Sequence, residues 1–295
     1  MRFGLVGTGP WATAVHGPGV RSSSSAVLQG VWGRDPEKAR GVAAELGVPA
    51  YDDLDRLLDE VDAVTFAVPP HVQADLAVRA AHAGRHLLLE KPVATDLDAA
   101  RTLADVAAAQ GVASVVFFTD RFSETGSAWF REAQATGGWR GGSVRWLASL
   151  GEPGDPFMKS PWRRERGALW DIGPHAISSM TAVLGPVGGI VAVGGQEDLV
   201  HLVMRHASGA TSTATLSLFS PAAASTQEFW LWGDHGLSTK PGGTGDTAVT
   251  AHAAAVDALV ASATTGEPHP ADLRLGVRVV ELLTKAQRQL DDNVR

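Results

Sequence analysis

The sequence contains no cysteine, which excludes disulfide bonds and thiolate metal sites. No apolar stretch free of charge reaches the length that crosses a membrane. The net charge is −7, and acidic and basic side chains are interleaved, so no basic surface favours binding to nucleic acid. We therefore expect neither a nucleic-acid nor a membrane partner.

The start of the chain also lacks the features of a secretory signal. It opens MRFGLVGTGP, without a charged leader, a long apolar core or a small-residue cleavage site, so a cytoplasmic location is expected. The chain has 295 residues, of which 44% are hydrophobic and 19% charged. This composition is typical of a globular protein, and the length is sufficient for two domains.

Short apolar segments alternate with amphipathic ones over the first 119 residues. The apolar segments predict strands at residues 2–6, 27–33, 61–68, 85–89 and 112–118, and helices are predicted at 35–46, 73–83 and 97–110. Such alternation is typical of a doubly wound parallel sheet with right-handed crossovers. We predict an α/β dinucleotide-binding domain of the Rossmann type over residues 1–119.

The pattern changes after residue 120. Predicted strands at 143–150, 188–193, 198–206, 210–219 and 227–233 follow one another with few helices between them. One helix is predicted at about 174–184, and helices return over 251–290 with a break at 266–270. We predict a second, α+β domain over residues 120–295, built on a mostly antiparallel sheet.

The segment GTGPWA, residues 7–12, fits the glycine fingerprint of dinucleotide-binding proteins with alanine in the third place. It follows the first predicted strand and opens a helix, which is the context that the fingerprint requires. Glycine permits a tight turn and a close approach of the backbone to a pyrophosphate at a helix N-terminus. Cofactor contacts are expected from five residues of the turn: Gly7, Thr8, Gly9, Pro10 and Trp11.

The tip of the second strand bears on the choice of dinucleotide. An acid at this position binds the ribose 2′-hydroxyl of NAD, whereas an arginine accommodates the 2′-phosphate of NADP. Here Gly33 is followed by Arg34, which favours NADP over NAD. Asp35 could reach the ribose, but it precedes Pro36 and is better explained as a helix N-cap.

Polar residues follow two further strands of the first domain. His71 and Glu90 lie at predicted strand ends, and Lys91 ends the apolar strand of HLLLEKPV. Ligands of open α/β sheets bind beyond the carboxyl ends of the strands, so these side chains would face the cofactor crevice. Taken alone, Lys91 fits a surface loop equally well.

In the second domain, Asp171 and His175 stand out in the mostly apolar segment GALWDIGPHAISSM. They could form a buried structural pair, half of a metal site or the proton-handling part of an active site. Two ligands without an identifiable third are too few for a metal, so no metal site is predicted. Pro174 suits the first position of a helix, which places His175 in its first turn and Asp171 just outside it.

Four segments in this order resemble the family of glucose–fructose oxidoreductase, inositol dehydrogenase and rhizopine-catabolism oxidoreductases. They are the glycine turn, AVPPH with Pro69, GRHLLLEKP and GALWDIGPH. The resemblance implies that Lys91, Asp171 and His175 form the catalytic triad and that a cis peptide bond precedes Pro92. It also implies an open sheet in the second domain, C-terminal helices that pack back on the first domain, and homodimers or homotetramers.

The resemblance places a tryptophan–arginine pair near the cofactor, which here is Trp162 and Arg163, although a polar loop explains the pair equally well. The family often has an acid four residues after the histidine, where this chain has Ser179, so inositol specificity is not carried over. Trp146, Trp230 and Trp232 could stack on a sugar, but we favour a subunit interface.

Together these features predict an oxidoreductase that uses NADP, or else NAD, to move a hydride to or from a hydroxyl or keto group of a sugar, cyclitol or related polyol. We assign His175 as the acid/base, Lys91 to polarise the substrate oxygen and Asp171 to orient both. Which of Lys91 and His175 takes the proton is left open. The alternatives are a non-catalytic dinucleotide-binding sensor and an NAD-dependent glycoside hydrolase of the same fold.

Overall fold

The computed structural model describes residues 1–150, 161–242 and 247–292. Residue contacts divide the chain into two compact units. The first consists of Met1–Glu124 and Gly245–Arg278, and the second of Thr125–Thr244 and Val279–Arg295.

The first unit contains a six-stranded, all-parallel sheet. Its strands are β1 (Arg2–Val6), β2 (Val27–Trp32), β3 (Ala50–Tyr51), β4 (Ala63–Phe66), β5 (His86–Leu89) and β6 (Ser114–Val116), in the order β3-β2-β1-β4-β5-β6. This is the strand order of the Rossmann fold, whose order reverses between β1 and β4. The prediction of a doubly wound parallel sheet is confirmed.

This unit also contains helices. They are a π-helical turn at Ala12–His16, then α1 (Gly17–Ser22), α2 (Pro36–Leu46), α3 (Leu54–Glu60), α4 (Pro70–His82), α5 (Leu97–Ala109), α6 (Thr119–Phe122) and, from the C-terminal part of the chain, α10 (Ala248–Thr265). Helix α4 begins three residues before the predicted start, because proline fits the first helical turn. Within this unit, α10 packs against α1 and α6.

The second unit contains the other six-stranded sheet. Its strands are β7 (Trp139–Leu147), β8 (Val187–Gly194), β9 (Val200–His206), β10 (Thr211–Ser217), β11 (Thr226–Gly233) and β12 (Gly236–Thr239), in the order β12-β11-β7-β10-β9-β8. All neighbours are antiparallel except β7 and β10, which are parallel. The prediction of a mostly antiparallel sheet is confirmed.

One face of this sheet is covered by helix and the other faces solvent. Residues of β9 are buried and exposed in strict alternation, as a half-buried antiparallel strand requires. Helix α9 (Gly173–Leu184) packs on β7 and β10 and follows α8 (Pro161–Asp171). The remaining helices are α7 (Glu124–Thr136) and α11 (Leu273–Asp292), whose residues 273–278 belong to the first unit and 279–292 to the second.

Candidate cofactor-binding and catalytic site

The glycine turn follows β1 and depends on glycine at its first position. Gly7 has φ +137°, and a Cβ there would lie 2.2 Å from the carbonyl oxygen of Ala67 at the end of β4. Its amide donates to the carbonyl of Trp32 at 2.9 Å, which closes the turn across the sheet edge. No other residue type would allow this approach of the backbones.

Gly9 has a different environment. A Cβ built on Gly9 would meet nothing within 4 Å, so its backbone is open to a ligand, and helical backbone follows directly. An accessible glycine backbone at the start of a helical segment is the environment that a dinucleotide pyrophosphate occupies. The residues present therefore fit the phosphates of such a cofactor.

The tip of β2 packs against the glycine turn. A Cβ on Gly33 would lie 2.4 Å from Cγ2 of Thr8, so a larger residue here would require the Thr8 side chain to move. Arg34 is exposed. Asp35 caps α2, and its Oδ1 accepts from the amides of Glu37 at 3.1 Å and Lys38 at 3.2 Å. The predicted N-cap is confirmed, and the hydrogen bond from the Lys38 amide is the largest cause that lowers the pKa of Asp35.

The end of β5 presents Glu90 and Lys91. Both side chains are partly exposed, and the Lys91–Pro92 peptide bond is cis, as the resemblance implied. The Glu90 carboxylate accepts at Oε1 from Nε1 of Trp11 at 2.9 Å and from Nε2 of His16 at 3.1 Å. Its Oε2 accepts from the Lys91 amide at 3.1 Å. The glycine turn and this strand end are thus joined directly.

A buried glutamine holds the backbone of the same strand end. Gln73 on α4 is fully buried, and its Nε2 donates to the carbonyls of Glu90 at 2.8 Å and Val93 at 3.2 Å. Its Oε1 accepts from the amide of Glu90 at 2.8 Å. At the start of the same helix, Pro69 is the N-cap residue and His71 is exposed.

In the second unit, Asp171 and His175 lie on either side of a helix start. Asp171 is 5% exposed and is the last residue of α8, and His175 is 6% exposed and the third residue of α9. The expectation that Asp171 precedes the helix of His175 is met. The helix begins one residue earlier than predicted, however, and a second helix ends at Asp171.

Two neighbours define the surroundings of this pair. Nε of Arg163 donates to Oδ2 of Asp171 at 2.9 Å, which gives the buried carboxylate a charged partner. The indole ring of Trp146 lies against His175, with ring centroids 5.3 Å apart and planes tilted by 39°. Trp146 therefore lies on the side of the sheet that α9 covers, beside the candidate acid/base, whereas we had favoured a subunit interface. Arg163 also lies over the ring of Trp162 at 5.4 Å.

Two sequence models of one oxidoreductase family match this chain. One, described as an oxidoreductase family with an NAD-binding Rossmann fold, matches residues 1–118. The other, the GFO/IDH/MocA C-terminal domain, matches residues 141–238. The chain belongs to the GFO/IDH/MocA oxidoreductase family. Its first unit is accordingly an NAD-binding Rossmann domain, and the family resemblance seen in the four segments is confirmed.

Curated relatives of this chain include proteins named as sugar dehydrogenases. D-xylose 1-dehydrogenase (NADP(+)) 2 of Haloferax volcanii is 28% identical over 75% of this chain and 70% of its own length. Two other curated relatives are matched over only 32% and 53% of their length.

Solved structures show the same fold along nearly the whole chain. GenD2 from gentamicin A biosynthesis, in complex with NAD, has a TM-score of 0.85 at 22% identity and covers 99% of this chain and 95% of its own. The WlbA dehydrogenase from Bordetella pertussis, in complex with NADH and UDP-GlcNAcA, has a TM-score of 0.84 at 21% identity and covers 99% and 96%.

Three residues that hold candidate site residues in place were missed in the sequence. Gln73 and His16 are buried in mostly apolar helical segments. The signal that the sequence offered for each was a polar residue among apolar neighbours. Asp198 accepts at Oδ2 from the amide of Ala168 at 3.1 Å, directly after Gly167 (φ +61°), where α8 is kinked. It thereby fixes the last turn of α8, which carries Asp171.

The described part of the chain contains neither a group of metal ligands nor a membrane-spanning helix. Among residues 1–150, 161–242 and 247–292, no three His, Cys, Asp or Glu side chains are placed to hold a metal ion. Within those same ranges, no helix combines the length and apolar character needed to cross a membrane.

Proposed function

We propose that this protein is a dehydrogenase that moves a hydride between a nicotinamide cofactor and a hydroxyl or keto carbon of a sugar, cyclitol or related polyol. The observation that supports it most is the buried pair Asp171 and His175 beside the start of α9, with Arg163 bound to the acid. Burying such groups costs free energy unless they are hydrogen-bonded or paired, and titratable groups held this way are candidates for functional sites.

Each residue has a role that its surroundings support. His175 lies in the first turn of α9, where the positive end of the helix dipole disfavours imidazolium, so the neutral ring can accept the alcohol proton. Asp171, held by Arg163, orients the imidazole. Lys91 polarises the substrate oxygen from the end of β5. The bound nicotinamide supplies the hydride acceptor, and general base catalysis of this kind contributes about 10²–10⁴-fold.

The substrate class is supported by one residue and by relatives. The ring of Trp146 beside His175 offers an apolar face on which the C–H face of a sugar can lie. One relative is named as a xylose dehydrogenase, and one solved neighbour holds UDP-GlcNAcA. Position 179 is a buried serine, so the acid that binds polyol hydroxyls in the family is absent at that position.

We propose that NADP is preferred over NAD. Arg34 is exposed at the tip of β2, where it can reach a 2′-phosphate, and Asp35 is occupied as the cap of α2. The relatives do not agree on the cofactor, because the xylose enzyme is named for NADP(+) and the two solved neighbours hold NAD or NADH. The argument for NADP therefore depends on Arg34. Further cofactor contacts from Pro69, His71, Trp162 and the Arg163 guanidinium stay predictions.

We also propose a homodimer or homotetramer. The solvent side of the second sheet exposes large apolar side chains on four strands: Val191, Val193, Val203, Trp232 and Leu237. Val191 pairs with Val203 at one edge of the sheet, and Trp232 pairs with Leu237 at the other. Neighbouring exposed apolar side chains favour association. Light scattering of the purified protein tests this proposal, and a monomer at micromolar concentration contradicts it.

Reduction of the cofactor tests the proposed activity. The protein is incubated with NADP⁺ or NAD⁺ and a panel of aldoses, polyols, cyclitols and nucleotide sugars, and absorbance of the reduced cofactor is followed. We expect turnover that His175→Asn lowers by at least about 10²-fold, whereas His201→Asn, on the solvent side of β9, leaves it unchanged. Tight cofactor binding without any reduction would favour the sensor, and glycoside cleavage without net reduction would favour the hydrolase.

A further inference from the structure

The carboxylate of Glu90 is the meeting point of two functional segments. Trp11 belongs to the glycine turn, and its Nε1 donates to Oε1 of Glu90 at 2.9 Å. The next residue along β5 is Lys91, whose amide donates to Oε2 of the same carboxylate at 3.1 Å. One side chain therefore contacts both the turn that fits the cofactor phosphates and the backbone of the candidate catalytic lysine.

A buried histidine is the third donor to this carboxylate. His16 is fully buried, and its Nε2 lies 3.1 Å from Oε1 of Glu90. Because an ionised carboxylate only accepts hydrogen bonds, Nε2 of His16 must carry the hydrogen. In the neutral ring Nδ1 is then an acceptor, and Oγ1 of Thr65 lies 2.7 Å away to donate to it.

The chain of hydrogen bonds continues to the C-terminal part of the first unit. Nε2 of His252 on α10 lies 3.1 Å from Oγ1 of Thr65 and 3.1 Å from Nδ1 of His16. All three side chains are fully buried. If His252 donates to Thr65, the direction of every bond is fixed: His252 to Thr65, Thr65 to His16, and His16 to Glu90. This order keeps the hydrogen of His16 on Nε2, which is the tautomer that donates to Glu90.

The backbone of Glu90 is held separately, by both amide atoms of Gln73. Its side-chain direction depends on the three donors to the carboxylate, namely Trp11, His16 and the Lys91 amide. His16 ends the π-helical turn that follows the glycine motif, and such turns are frequent at functional sites.

We propose that His16 is a positioning residue that, through the carboxylate of Glu90, couples cofactor binding at the glycine turn to the orientation of the strand end that carries Lys91. The inference rests on the proposed function only in taking the glycine turn as the cofactor site and Lys91 as a substrate-facing group. A cofactor that orders Trp11 would order residues 89–94 through this carboxylate.

Hydrogen–deuterium exchange of the full chain, with and without saturating NADPH, tests the coupling. In the wild type we expect NADPH to slow exchange both at residues 7–12 and at 89–94. In His16→Phe the effect at 7–12 is retained, the effect at 89–94 is lost, and the Kd for NADPH rises about tenfold. His16→Gln restores a donor near the position of Nε2, and we expect it to recover most of both effects.

A matched control separates this role from the loss of any buried histidine. His206 in the second unit is also buried and hydrogen-bonded through both ring nitrogens, to Gly185 and Ser212. His206→Phe should leave the NADPH effects at 7–12 and 89–94 as in the wild type. If His16→Phe does not fold, Thr65→Val takes its place as the test. It removes the hydroxyl that donates to Nδ1 of His16, and we expect it to weaken the NADPH effect at 89–94.

The proposal is overturned if NADPH protects residues 89–94 in the folded His16→Phe or Thr65→Val variant as much as in the wild type. It is also overturned if folded His16→Gln shows no more protection at 89–94 than His16→Phe. None of these measurements requires turnover. Coupled NADPH protection in a protein that reduces no cofactor would therefore contradict the proposed function and leave the role of His16 standing. A wild type that binds neither NADPH nor NADH overturns both.

Discussion

Arg163 donates from Nε to Oδ2 of Asp171 across 2.9 Å, and the two side chains are 23% and 7% exposed. The sequence had assigned them separate roles, Arg163 near the cofactor and Asp171 in the catalytic triad. The ion pair gives Arg163 a second possible effect, since a charged partner sets the position of a buried carboxylate.

Arg163→Met separates these two roles. If Arg163 acts through Asp171, kcat falls about 10- to 100-fold, the value of a charged hydrogen bond, while the Kd for NADPH stays within about twofold. Steady-state kinetics and nucleotide titration measure the two quantities. Arg164→Met, at the exposed next position, serves as the control. A large rise in Kd with little change in kcat would show instead that the guanidinium binds the cofactor.

Arg34→Ala tests the cofactor preference. Arg34 is exposed at the tip of β2, so its removal should weaken NADP⁺ binding at least about tenfold and NAD⁺ binding hardly at all. Calorimetric titration with both nucleotides gives the ratio of the two Kd values. Arg40→Ala, an exposed arginine on α2 that pairs with Glu37, should leave the ratio unchanged. Equal losses for both nucleotides would contradict a role in 2′-phosphate recognition.

Local sequence patterns predicted the elements whose cause is local. Strand β1 was predicted at its observed bounds, and Asp35 and Pro36 marked the start of α2 correctly. Helix α3 was missed because its seven residues, three of them acidic, are too few to show an apolar period. Helix α8 was missed because Gly167 interrupts its pattern.

The supports of the site could not be predicted in the same way. Gln73 contacts residues 17 to 20 positions away, and Asp198 contacts Ala168 across 30 positions. No local period encodes such pairs, since they depend on how elements pack. Sequence could at most identify these residues as polar side chains whose burial would need partners.

Gln73→Leu tests the support of the Lys91 strand end. The substitution introduces an apolar side chain of similar size and leaves the carbonyls of Glu90 and Val93 without this donor. We expect the free energy of unfolding to fall by about 3 kcal/mol and kcat to fall as well, measured by urea denaturation and steady-state kinetics.

The matched control is Gln289→Leu on α11, which loses a similar pair of bonds to the backbone of β8, at Ile190 and Ala192. It should destabilise the protein and leave kcat unchanged. A Gln73→Leu protein with wild-type kcat would show that Gln73 serves stability alone.

His252→Gln tests the buried histidine of α10 by its pH dependence. Burial, and then the proximity of His16, hold the pKa of His252 well below its usual value. The folded state therefore keeps the ring neutral, whereas the unfolded chain takes up a proton below about pH 6.5. The stability from this group is complete above that pH and is lost as the pH falls, by up to about 1.4 kcal/mol per unit.

Glutamine does not titrate, so between pH 7.5 and 5.5 the variant should lose less unfolding free energy than the wild type, by about 1 kcal/mol or more in urea denaturation. Burial also lowers the pKa of His206 in the second unit, and His206→Gln should reduce the slope independently. Equal slopes in His252→Gln and the wild type would mean that His252 is protonated in the folded protein, and the hydrogen-bond order from His252 to Glu90 would then need revision.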